Sequence, residues 1–125
     1  MHKKFKTRSD ENISWIEFHC RIPFGPDRGR RVRLTDEEKF TVRQIYDREA
    51  KDLNFRSSLE DENLAAYIIL LHLCGPMALG NDPPMVEADP WTVWHSAGVT
   101  LHQFLKREGG VIVCRRLRTR YPAAA

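Results

Sequence analysis

The sequence predicts a mainly α domain of the α+β type, with about four helices and a small two-stranded sheet. Three observations carry this. Thr35-Asp-Glu-Glu38 is a capping box set just before apolar residues at helical spacing. The run from Leu64 to Cys74 is apolar nearly all round and is closed by Gly75-Pro76, as a central core helix requires. Val111-Ile-Val-Cys114 follows Gly109-Gly110 and is β-branched, the pattern of a short strand.

Taken in order, residues 1–8 read as a mobile basic arm, 9–121 as one globular domain and 122–125 as a plain tail. Ser9 can cap a first helix over about Asp10–Arg21, with Asp10 and Glu11 in its positive first turn. Ile13, Ile16 and Cys20 share its apolar face, and Trp15 and Phe18 widen it. Pro23, Gly25, Pro26 and Gly29 then break the chain. After the cap at Thr35, the residues Phe40, Val42, Ile45 and Tyr46 give the second helix its buried side. Ser58 or Asp61 can cap the third helix, and Asp89 with Pro90 starts the fourth. Trp91, Trp94, Ala97, Leu101, Phe104 and Leu105 supply the buried side of that fourth helix, which runs to Gly109-Gly110. The strand Val111–Cys114 continues toward Thr119, and its natural partner is Arg31–Leu34.

Composition narrows the function. The chain has 125 residues, 42% of them hydrophobic and 30% charged, enough for one core with a well-solvated surface. No apolar run approaches the roughly 20 residues of a membrane span, and no apolar stretch follows the basic start, so a cytoplasmic protein is expected. Three widely spaced cysteines, Cys20, Cys74 and Cys114, fit a reducing compartment and free thiols. The five histidines lack metal-ligand spacing, and there is no C-x-x-C, H-E-x-x-H, G-x-S-x-G or phosphate-loop motif. The carboxylates of Glu60-Asp61-Glu62 sit at a helix start, where they favour the helix dipole rather than acid–base work. No cofactor, metal or catalytic residue is expected, and the protein reads as non-enzymatic.

The net charge of +3 hides a strong asymmetry. Arg21, Arg28, Arg30, Arg31 and Arg33 are opposed within their segment only by Asp27. Lys106, Arg107, Arg115, Arg116, Arg118 and Arg120 are opposed only by Glu108. Between Arg56 and Lys106 there is no Lys or Arg, while Glu60, Asp61, Glu62, Asp82, Glu87 and Asp89 all fall there. Guanidinium groups contact phosphate in bidentate fashion. Arg28, Arg30, Arg31 and Arg33, with Arg115, Arg116, Arg118 and Arg120, are therefore the candidate binding residues. On a continuous strand the last four would set alternate guanidiniums along one face and could track a nucleic-acid backbone. Trp91, Trp94 and Phe104 could stack on bases, but their helical spacing favours the core.

Part of the chain resembles a known family. Trp15-Ile-Glu-Phe-His-Cys-Arg-Ile-Pro-Phe-Gly25, then Gly29, Leu34 and Ile45-Tyr46-Asp47, is similar to the N-terminal region of phage terminase large subunits. The run from Leu64 to Pro76 resembles the helix that follows that family's nucleotide loop, so the likeness covers about Trp15 to Leu79. The loop itself would fall between Tyr46 and Leu64, where there is no glycine and no Gly-Lys-Ser/Thr. The chain is also expected to end before any nuclease domain. The resemblance thus implies phage or mobile-element ancestry without ATP hydrolysis. The resulting expectation is a small protein that binds nucleic acid or a nucleoprotein complex through arginine clusters. The alternative is a protein-binding modulator or inhibitor of a host defence complex, acting through its acidic stretch or its basic face.

Overall fold

The structure, a computed structural model, describes residues 7–47, 61–78, 86–115 and 119–122. They form α1 (Arg8–His19), α2 (Asp36–Tyr46), α3 (Glu62–Cys74), α4 (Pro90–Ser96), the short α5 (Val99–His102), and strands β1 (Leu105–Glu108), β2 (Val111–Cys114) and β3 (Thr119–Pro122). The mainly α class with a small antiparallel sheet is therefore the architecture observed. The sheet has three strands in the order β1-β2-β3 rather than two.

Thr7, not Ser9, caps α1, its hydroxyl accepting from the Asp10 N–H at 3.1 Å. Ser9 is buried within the first turn, and its Oγ donates to the Val42 carbonyl, tying α1 to α2. Arg43 reinforces the same junction at 2.8 Å from Asp10. Its guanidinium hydrogen bond holds the Asp10 carboxyl below the usual range. Of the expected arm, Thr7 caps α1 and Arg8 is its first residue. Residues 1–6, like residues 123–125 of the expected tail, lie outside the described residues.

α2 begins on the full capping box. The Thr35 hydroxyl accepts from the Glu38 N–H at 3.1 Å, and the Glu38 carboxylate accepts from the Thr35 N–H at 2.9 Å. Two otherwise orphan donors are satisfied by one pair of side chains. Thr35→Ala is expected to cost about 1 kcal/mol, read as a lowered urea midpoint with unchanged slope. An unmoved midpoint would show that this cap does not hold the helix.

α3 starts on Asp61, whose carboxylate accepts from the Leu64 N–H at 3.0 Å. Every residue from Leu64 to Leu73 is buried. The helix packs against α1, α4, β2 and β3, so both ends of the chain wrap its middle. Among the described residues no helix is long and apolar enough to cross a membrane.

The fourth helix is shorter than its spacing predicts. Asp89 caps it through the N–H groups of Trp91 and Thr92, with Pro90 in the first turn, but it stops at Ser96. Ala97 turns extended and pairs with Cys20, and a Cβ at Gly98 would fall inside contact distance of the His19 carbonyl oxygen. This close crossing of α1 interrupts the helix. The remaining apolar residues are then met by two shorter elements, with Leu101 buried on α5 and Leu105 buried on β1.

The pairing of β2 also differs. Its partners are β1, with Leu105 opposite Cys114 and Glu108 opposite Val111, and β3, with Ile112 opposite Tyr121. Gly109-Gly110 is the two-residue turn of the β1–β2 hairpin. The segment Arg31–Leu34, expected as partner, instead crosses the end of α1. The Val32 N–H donates to the Cys20 carbonyl at 3.3 Å, and Arg31 bridges to Arg21.

Candidate nucleic-acid interface

Pro23, Gly25, Pro26 and Gly29 build a tight loop on the end of α1. Gly25 and Gly29 adopt φ of 96° and 86°, which a side chain would resist. The Ile22 N–H donates to the Arg30 carbonyl and the Gly29 N–H to the Ile22 carbonyl, both at 2.9 Å, closing the loop at its neck. Beyond the neck the chain alternates. Val32 and Leu34 enter the core, while Arg31 and Arg33 face solvent.

All four expected arginines of this region, Arg28, Arg30, Arg31 and Arg33, are exposed. Arg30, Arg31 and Arg33 line an open groove of about 510 Å³ with Ile22 and Asp27. Asp27 lies 3.7 Å from Arg30 with both side chains well exposed, an ion pair of little strength in water. Arg31 also lies over the Phe18 ring, 4.9 Å from its centroid, and Phe18 remains 59% exposed.

The loop is held against α4. The Arg21 N–H donates to the Ser96 carbonyl at 2.8 Å. Phe24 meets the His95 ring edge-on at 5.4 Å, and His95 lies near-parallel to Trp91 at 6.0 Å. On the far side of this row the Arg107 guanidinium sits 3.6 Å from the Trp91 centroid. Phe24 and Trp91 are both about half exposed. This corrects the expectation that Trp91 joins Trp94 and Phe104 in the core. Trp91 occupies the first turn of α4, ahead of the buried Thr92 and Val93.

The C-terminal cluster is arranged differently from the expected row. β2 ends at Cys114, which pairs antiparallel with Thr119 at the start of β3, so Arg115 and Arg120 do not share one continuous strand. Arg115 is exposed, its N–H donating to the Phe104 carbonyl. Arg120 lies on β3 opposite Val113. Arg116 and Arg118 lie outside the described residues. Among the described residues of this cluster, Arg107 is linked to the 22–33 loop by way of Trp91 and His95. Sequence density of arginine pointed to the loop. No local signal marks Trp91 as exposed, since Thr92 and Val93 in the same first turn are buried.

Away from this region, His72 and Cys20 face inward. His72 is buried on α3 beside the Tyr46 hydroxyl, and Cys20 is buried with its thiol pushed well up by burial. Among the described residues no group of three or more His, Cys, Asp or Glu is placed to hold a metal ion. Comparison with known protein families, curated proteins and solved structures returns no match for this chain.

Gly98 offers a test of how the interface is held. Gly98→Ala forces a Cβ onto the His19 backbone. It is expected to destabilise the fold by about 1–3 kcal/mol, as overpacking does. Wild-type thermal stability in this variant would show that α1 and α4 do not depend on their close crossing.

Proposed function

We propose that this chain is a non-enzymatic binding protein of phage or mobile-element origin. It acts in the cytoplasm and takes hold of nucleic acid, or of a nucleoprotein complex, through its arginines. The observation that carries the reading is the groove of Arg30, Arg31 and Arg33, where Asp27 is the one acid among the described lining residues and is weakly paired. Planar guanidiniums can each meet a phosphate in bidentate fashion, and the closed loop fixes the backbone that carries them.

Binding of this kind is mainly electrostatic and indifferent to sequence. Mobility-shift titrations over a salt series, with random DNA and RNA, are the test. Arg31→Ala with Arg33→Ala is expected to weaken all sequences alike. It should also flatten the slope of log affinity against log salt by about one for each phosphate no longer neutralised. Absence of binding at low salt would refute the reading.

A second reading, a protein-binding modulator or inhibitor of a host defence complex, has one observation in its favour. The Asp89 N–H donates to the Glu62 carboxylate at 3.2 Å, joining the two ends of the acidic stretch. Asp61, Glu62, Glu87 and Asp89 are all exposed. That reading gains if the chain ignores nucleic acid at low salt and retains a basic protein partner through these carboxylates.

A further inference from the structure

We propose that the ligand is single-stranded nucleic acid, its bases stacking on Trp91 and Phe24 while its phosphates lie on the neighbouring arginines. This rests on the nucleic-acid reading above and adds strandedness and the residues that sense it. Phe24, His95 and Trp91 form one continuous row of rings, spaced at 5.4 and 6.0 Å. Trp91 is 52% exposed and Phe24 50% exposed, although both are large apolar groups with a core close by. Half-exposed rings beside exposed arginines are the composition of a stacking platform.

Duplex DNA hides its base faces within the stack, whereas a single strand can splay them onto aromatic side chains. Arg107 lies over one face of the Trp91 ring and His95 runs near-parallel to it, so a base that stacks on the indole takes the place of the Arg107 guanidinium, which is then free to meet a phosphate. Phe24 belongs to the same closed loop as Arg28 and Arg30, so base and phosphate contacts sit on one rigid segment. Arg107 adds a cation at the opposite end of the row.

The test is fluorescence anisotropy with four probes at matched salt: oligothymidylate, oligouridylate, a DNA duplex of equal length, and heparin as a polyanion without bases. The single strands are expected to bind more tightly than the duplex. Trp91→Ala should weaken single-strand binding by about 5- to 150-fold and leave heparin unchanged, with Trp91→Phe recovering most of the loss. Phe24→Ser, on a surface loop, is expected to give the same pattern and guards against a folding defect at Trp91. Equal loss for heparin and oligonucleotides, a preference for duplex, or oligonucleotide affinities within about twofold of wild type in both variants would overturn the inference while leaving nucleic-acid binding intact. Failure of all three nucleic acids to bind would overturn both.

Discussion

Leu70→Ala is expected to lower the free energy of unfolding by about 2–5 kcal/mol. Leu70 is completely buried at the middle of α3, and the flanking Ile68, Ile69 and Leu71 are buried as well. The deleted atoms leave a cavity walled by α3 itself and by the elements around it, and a helix enclosed on all sides has little freedom to close it. A loss of that size is a large part of the roughly 5–15 kcal/mol that holds a typical domain together. Urea unfolding followed by circular dichroism measures it. Phe40→Ala, at a ring 62% exposed on α2, should move the midpoint far less. If the two variants proved equally mild, α3 would not be the centre of the core.

Acidification is expected to cost about 3 kcal/mol at His72 alone. Burial lowers the His72 pKa from 6.5 to about 4. The Tyr46 hydroxyl lies 2.9 Å from its Nε2. The unfolded chain therefore takes up a proton more readily than the folded one. Stability from this group is complete above pH 6.5 and is lost as the pH falls from there toward 4. Two carboxyls contribute alongside it. Asp10, held down by Arg43, also loses its stabilising effect in acid. Glu38, raised by burial and then by the hydrogen bond and charge of Asp61, acts in the opposite sense and favours the fold as it protonates. Comparing wild type with His72→Phe, by urea midpoints at neutral and mildly acidic pH, separates the histidine from both. The wild type should lose clearly more stability than the variant on acidification. Parallel losses would show that His72 accepts its proton in the folded state.

The sequence is most legible where a local rule decides the outcome. The Thr35–Glu38 box, the Asp61 cap and the Asp89-Pro90 start all act within one helical turn, and each is present in the fold. The nearly all-apolar run of α3 likewise leaves one place for it, inside. The fourth helix is misjudged from its spacing because Leu101, Phe104 and Leu105 fit a helix face as well as they fit a short helix followed by a strand. What decides between them is the approach of the His19 carbonyl to Gly98, a meeting of residues 79 positions apart in the chain that no local pattern carries. Gly109-Gly110 reads as a helix stop, although two glycines ahead of a β-branched run are equally a hairpin signal. Taking it so pairs β1 with β2 and releases Arg31–Leu34 from the sheet. At the candidate interface, the crowding of Arg28, Arg30, Arg31 and Arg33 is visible by inspection. The link to Arg107 through Trp91 and His95 is not, because it depends on α4 and β1 meeting across the hairpin.

The all-apolar surface of α3 also dictates an order of events during synthesis. A helix with no solvated side cannot rest at the surface, and here its walls come from α1 on one side of the sequence and from α4, β2 and β3 on the other. The N-terminal wall is made first, and the flank that α4, β2 and β3 cover has no partner until they follow, so partly made chains expose apolar surface that is prone to association.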